Sequence, residues 1–318
     1  MPEKSALSLF EIPPYLVMPA LRACRLFNTQ LDKLFYDTPT LEKELKARGK
    51  SINTLSASSG ADDVDLGGIA NPEGSLLLIN PAREPYIRSF HDVQDFLACP
   101  DADVQTVTIA TITGVGSSAL GSAALAWDIA SALGQPVLAI VPGYGVADVV
   151  LQGMGGWFGF GLYDFLNIKP AVQMALASVA PQTAKLGRHL SSTTPDAPEL
   201  PNGGPVFRTG SGSSDVLHAV LQQRALTCVI GHSKGALAIG NALRSLPPED
   251  TEDLKVVTLG CTIAETTGNA VYYQYLGLFD ALGQMNSWGR RPSEWITTDH
   301  STNITLPFSM DAEELVLR

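Results

Sequence analysis

The sequence predicts an α/β fold, a mostly parallel central sheet with helices on both faces. Three observations predict it. Runs of strand length alternate with helical segments between residues 104 and 141, and again from 212 to 260. The strand runs are apolar at consecutive positions, as expected of strands covered on both faces. Glycine-bearing turns, GVGSSALG and GHSKG, stand where a strand hands over to a helix.

Taken in order, residues 20–48 have a helical period, with Leu21, Cys24 and Phe27, then Leu31, Leu34 and Phe35, on one side. The period breaks near Asp37-Thr38-Pro39. Thr38 is the expected cap of a second helix, with Pro39 at its first position, where a missing N–H costs nothing. The Ser/Gly/Asp-rich stretch 51–74 is expected to be loop. SLLLIN (75–80) is a short strand stopped by Pro81, and VQTVTIATIT (104–113) is a β-branched strand. The GVGSSALG turn leads into the helix SAALAWDIASALG, ended by Gly134, and PVLAIV (136–141) is a second buried strand. After an irregular stretch the alternation resumes with a helix at 212–224, the strand ALTCVI, the GHSKG turn and the helix ALAIGNALRSL. The strands KVVTLG, VYYQYLGLF and EWITT follow. Residues 1–70 form an N-terminal helical and loop extension in this reading. Residues 71–145 and 206–318 form the core, and 146–205 a helical cap or lid insertion.

The bulk numbers bound the function. The chain has 318 residues, 45% hydrophobic and 17% charged, enough for one large core. A net charge of -11 argues against nucleic-acid binding, which needs a basic surface to meet phosphates. Four cysteines lie far apart with no CxxC pair, so neither a zinc site nor a disulfide framework is expected. The segment EIPPYLVMPALRACRLF holds Glu11, Arg22, Arg25 and two adjacent prolines, which is not a secretory-signal layout. A soluble, cytoplasmic protein is expected.

Gly231-His232-Ser233-Lys234-Gly235 is a G-x-S-x-G run entered by an apolar strand and left by an alanine-rich helix. Such a turn holds its serine in a strained backbone conformation that lifts the hydroxyl clear of the sheet, and its glycines avoid collisions with neighbouring strand and helix. Serine is a weak nucleophile at neutral pH and needs a base, itself oriented by a third group. His300 is the one histidine after Ser233. Asp280, ending the run VYYQYLGLFD, is the first choice for the acid, and Glu265 is the second. Asp299 is adjacent to His300, and neighbouring side chains on a strand diverge. His232 is expected to pack beside the elbow.

On these residues the chain resembles the α/β-hydrolase superfamily over about 104–305. GHSKGALA looks like a lipase or esterase elbow. The block TVTIATITGVGSSALGSAALAWDIASALGQPVLAIVPGYGVAD looks like the family's third strand, oxyanion loop, helix and fourth strand. The resemblance implies an oxyanion hole made by the Val115 and Lys234 amides. Thr113-Gly114 occupy the place where many members have His-Gly. The expected triad is Ser233, Asp280 and His300, with no cofactor or metal, and the expected substrate is an apolar carboxylic ester, since an acidic surface repels anionic partners. Gly114, Tyr144 and His232 are candidate substrate contacts. Trp157, Phe158 and Phe160, in the glycine-interspersed segment GMGGWFGFGLYDFL, are others, and that segment is a candidate for transient contact with a lipid surface. The rival reading takes Gly114-Val115-Gly116 as a G-x-G-x-x-A dinucleotide turn of an NAD(P)-binding oxidoreductase. No acidic residue ends the following strand to hold a ribose, and no Tyr-x-x-x-Lys pair accompanies it. A non-catalytic binding protein on the same fold is the third reading.

Overall fold

The computed structural model describes residues 14–54, 62–68, 70–72, 74–142, 175, 212–244, 246–263, 269–287 and 291–318. The predicted insertion at 146–205 lies, position 175 aside, outside them. Among the described residues, helices α1 (Pro14–Phe35) and α2 (Thr38–Ala47) lead to two short parallel strands, β1 (Ser51–Asn53) and β2 (Asp63–Asp65). There follow β3 (Leu76–Ile79), β4 (Ile87–Phe90), α3 (Val93–Ala98), α4 (Ala102–Thr106), β5 (Ile109–Ile112), α5 (Ala119–Leu133) and β6 (Val137–Ile140). The second half comprises α6 (Gly212–Gln223), β7 (Cys228–His232), α7 (Lys234–Leu243), β8 (Lys255–Leu259), β9 (Val271–Gly277), α8 (Ala281–Asn286), β10 (Glu294–Ile296) and α9 (Ala312–Leu317). None of these helices is long and apolar enough to cross a membrane.

Among the described residues, eight strands form one sheet in the order β10-β9-β8-β7-β5-β6-β3-β4. The strands from β10 to β6 run parallel, and β3 is antiparallel to both its neighbours. Strand order reverses beside β5, which has β6 on one side and β7 on the other. The crevice at the carboxyl ends of strands flanking such a reversal is where open α/β sheets bind ligands. The register pairs Ile112 with Gly231, so Gly114 and Ser233, each two residues further on, emerge level with one another.

Side-chain alternation on each strand splits the core into two layers. Leu77, Ile79, Ile109, Val137, Ala139 and Ile230 face the layer holding α5, against which α1, α2 and α9 pack. Leu76, Leu78, Ala110, Ile112, Leu138 and Val229 face the layer under α6 and α7. Helix α5 is buried from Ala119 to Ala130, and its small residues let it lie close to the sheet. Trp127 is its one bulky anchor to α2, with Nε1 donating to Glu44 Oε2 at 3.2 Å and the Arg48 guanidinium 5.2 Å from its ring. Gly134, at φ 65, ends the helix in the left-handed conformation that glycine adopts without strain.

Several local expectations are corrected. The first helix begins at Pro14, six residues before the apparent start of the period. The cap of α2 is Asp37, whose carboxylate accepts from the Thr40 amide, and Thr38 is already inside the helix. The loop at 51–74 contains β1 and β2, three-residue strands that pair with each other and carry too little sequence to show a period. VQTVTIATIT is not strand throughout. Asp101 caps α4 by accepting from the Asp103 amide, so Val104-Gln105-Thr106 are helical and the strand starts at Ile109.

Candidate active site

Strand β7 runs straight into Ser233, and α7 begins at the next residue. Ser233 has φ 56 and ψ -127, a region ordinary residues occupy only where surrounding structure enforces it. Its amide donates to Leu259 O at 2.7 Å, and its carbonyl accepts from the Ala236 amide at 3.0 Å, which fixes the turn from both sides. The flanking glycines are steric requirements. A Cβ on Gly235 would stand 2.1 Å from Ile112 O, and one on Gly231 would stand 2.6 Å from Ala236 N.

His300, just beyond β10, places Nε2 2.9 Å from Ser233 Oγ. Its Nδ1 lies 2.9 Å from both carboxylate oxygens of Asp280, which follows β9. A carboxylate can only accept, so Nδ1 carries the proton and the Nε2 lone pair faces the serine hydroxyl. Asp280 is fully buried and is held in turn, since it caps α8 and accepts from the Gly283 amide at 2.6 Å. Gly260 closes the floor at φ 67, and a Cβ there would come 3.0 Å from His300 Nδ1. Asp299 turns elsewhere and accepts from the Ser301 amide. The structure thus brings Ser233, His300 and Asp280 together in one hydrogen-bonded line. Glu265 lies outside the described residues.

The turn after β5 runs alongside. Ser117 N donates to Gly114 O at 3.3 Å, and Gly116, at φ 73, occupies the turn position that calls for glycine. Gly114 fits so closely that a Cβ would lie 2.8 Å from Ser233 Cβ. Its amide is already engaged, donating to the Tyr36 hydroxyl at 2.7 Å. Val115 is therefore the first residue of this turn whose amide is not committed to Tyr36. Thr113 turns its hydroxyl to Ser122, 2.9 Å away. Lys234 opens α7, directly after Ser233.

His232 does more than pack. The Tyr36 hydroxyl is 2.9 Å from its Nδ1, and its Nε2 is 2.8 Å from His300 O. The carbonyl can only accept, so Nε2 carries the hydrogen and Nδ1 accepts from Tyr36. The chain therefore runs from Gly114 N–H to Tyr36 to His232 to the backbone of His300, with every donor and acceptor matched. Burial, and then the neighbouring His300, push His232 down to about 3, so it stays neutral. Burial likewise raises Tyr36 far above the ordinary phenol range.

Asp32, on α1 four residues before Tyr36, sits on the N-terminus of α5. It accepts from the amides of Ser118 at 2.9 Å and Gly121 at 3.0 Å, and from the Ser118 hydroxyl. Burial pushes it up to about 7, with the Ser118 and Gly121 donors pulling the other way. The fit is tight, since a Cβ on Gly121 would meet Asp32 Oδ1 at 2.3 Å. Neither Tyr36 nor Asp32 is among the sequence-derived candidates. They stand four residues apart at the end of α1, a spacing that puts them on one side but does not mark them as site residues.

A cavity of about 360 Å³ opens beside Ser233 and His300, lined chiefly by Phe27, Leu31, Leu34, Phe35, Val115 and Leu282. Gly114 and His232 also line it. Tyr144, Trp157, Phe158 and Phe160 lie outside the described residues. A scan of the chain against protein-family models gives no match, and neither do searches of curated proteins and of solved structures.

Proposed function

We propose that the protein is a serine hydrolase of the α/β-hydrolase type, cleaving an apolar, acyl or lipid-like carboxylic ester through an acyl-enzyme. The observation that carries this reading is the continuous line from Ser233 Oγ to His300 Nε2 and from His300 Nδ1 to Asp280, with both steps at 2.9 Å. The chain order Ser, Asp, His matches that of an α/β-hydrolase triad, and the positive φ of Ser233 fits a nucleophile elbow.

In this mechanism His300 Nε2 takes the hydroxyl proton as Ser233 Oγ attacks the ester carbonyl. Buried Asp280 stabilises the imidazolium that forms and keeps the ring in register. The Val115 and Lys234 amides are assigned to the carbonyl oxygen as it becomes negative, where fixed donors lower the barrier most. Collapse breaks the C–O bond to the alcohol, which leaves with the proton from His300. Water, deprotonated by the same nitrogen, then attacks the acyl-serine and restores the hydroxyl.

The dinucleotide reading has a specific observation against it. The α5 N-terminus, where a pyrophosphate would have to sit, already holds the Asp32 carboxylate. The deciding experiment is a p-nitrophenyl ester assay on the wild type and on Ser233→Ala and His300→Ala. Turnover by the wild type and loss in both folded variants is expected. A folded wild type inert at every chain length would favour the non-catalytic binder.

A further inference from the structure

We propose that α1 is the acyl-binding wall of this site, and that the substrate's acyl tail is uncharged, with about ten to twelve of its carbons covered by the cavity. The inference rests on the hydrolase reading and adds to it the part of the substrate that the cavity selects. Phe27, Leu31 and Leu34 recur at spacings of four and three on α1 and line the cavity together. Phe27 and Leu34 are 58% and 50% exposed, so a chain entering the cavity covers apolar surface that otherwise faces water.

The wall is fixed to both halves of the reaction centre. On one side Asp32 and Tyr36 tie α1 to the turn and helix start at 114–121. On the other, the last carbonyls of α1 accept from the loop that follows His300. Ser301 Oγ donates to Leu34 O at 2.8 Å, the Thr302 amide to Phe35 O at 2.8 Å, and Asn303 Nδ2 to Lys33 O at 2.9 Å. These contacts satisfy carbonyls that a helix end leaves open. They also hold the apolar side chains at a set distance from Ser233, as a chain-length gauge requires.

Charge and size narrow the ligand. No Lys or Arg is among the described lining residues, and Asp32, the one carboxylate there, is turned onto α5. An anionic tail would find no cationic partner among these described residues. At roughly 30 Å³ per non-hydrogen atom, the share of one water in the liquid, about 360 Å³ holds about a dozen such atoms. The acyl side is assigned because α1 is tied to the turn whose Val115 amide would hold the carbonyl oxygen. The alcohol, by contrast, must leave toward His300 Nε2.

The test is kcat/KM for p-nitrophenyl acyl esters from acetyl to hexadecanoyl, per site titrated with a fluorophosphonate, beside acetate esters of alcohols of the same lengths. A rise of up to about fourfold per methylene is expected, because a buried CH₂ contributes about 0.8 kcal/mol. It should level off by about ten to twelve carbons, with little dependence on alcohol length. Leu31→Trp, which fills the cavity, should move the plateau to shorter chains and cut the decanoyl-to-acetyl ratio at least tenfold. Leu34→Ala, at a half-exposed position, should flatten the rise and covers the case in which the tryptophan variant does not fold. Titration of one serine per chain with a flat acyl profile, or with dependence on the alcohol alone, overturns this assignment and leaves the hydrolase reading standing. Failure to titrate Ser233 overturns both.

Discussion

Replacing Tyr36 with Phe tests whether the buried chain from the turn at 114–117 to His300 is a structural device. The substitution removes one oxygen and leaves the ring in place, so no cavity of consequence forms. That oxygen accepts from the Gly114 amide at 2.7 Å and stands 2.9 Å from His232 Nδ1. Each group then loses the partner that satisfies it, in a site where Tyr36 and His232 are 2% and 1% exposed. Leaving a buried polar group unsatisfied costs about 1–3 kcal/mol, so the pair predicts a loss of about 2–6 kcal/mol. Urea denaturation, followed by tryptophan fluorescence, measures it, and an unchanged m-value shows that the comparison is between like states. Pairing the change with His232→Phe in a double-mutant cycle should give a coupling of about 0.5–3 kcal/mol. A loss below about 0.5 kcal/mol with no coupling to His232 would refute the reasoning, because the hydroxyl would then have no role in satisfying either neighbour.

Further outcomes follow from the same geometry. Gly235→Ala places a methyl 2.1 Å from the backbone oxygen of Ile112, which cannot swing aside as a side chain could. The variant should lose at least about 3 kcal/mol, read as a large fall in Tm or as insoluble protein. Asp280→Asn still offers an oxygen to the Gly283 amide but not the charge that stabilises protonated His300. Ester turnover should fall by about 10³–10⁴ with Tm little changed. Burial pushes the Asp32 carboxyl up to about 7 from the ordinary carboxylate range of about 4, so the native state holds the proton more tightly. Its contribution to stability is fully present below about pH 4, falls as pH rises toward 7 and is flat above. Asp32→Asn should remove that slope, up to about 1.4 kcal/mol per pH unit, in denaturation curves between pH 4.5 and 6.5. Identical slopes in the two proteins would contradict the placement.

What the sequence discloses follows the range of the interactions involved. The βα alternation, both glycine turns and the helices carrying them are legible because each is set by residues a few positions apart. Ser233 is legible for the same reason: strand, elbow and helix are contiguous. His300 and Asp280 lie 67 and 20 residues from their partners and are found by elimination and by the rule that strand ends carry the chemistry. Tyr36 and Asp32 are not legible as site residues. Their partners, Gly114 and Ser118, are 78 and 86 residues away, and nothing local in α1 distinguishes a phenol or carboxylate aimed at a turn from one aimed at solvent. The misassigned start of β5 has a different cause. Val104 and Thr106 favour strands, but capping by Asp101 and burial of Val104 select a single helical turn.

The central claim is that Ser233 is an activated nucleophile. Intact-mass measurement after incubation with a fluorophosphonate, followed by peptide mapping, tests it most directly. The account predicts one adduct per chain, on the peptide containing Ser233, absent in Ser233→Ala and strongly slowed in His300→Ala. A folded wild type that takes up no label, or takes it at another residue, would contradict it.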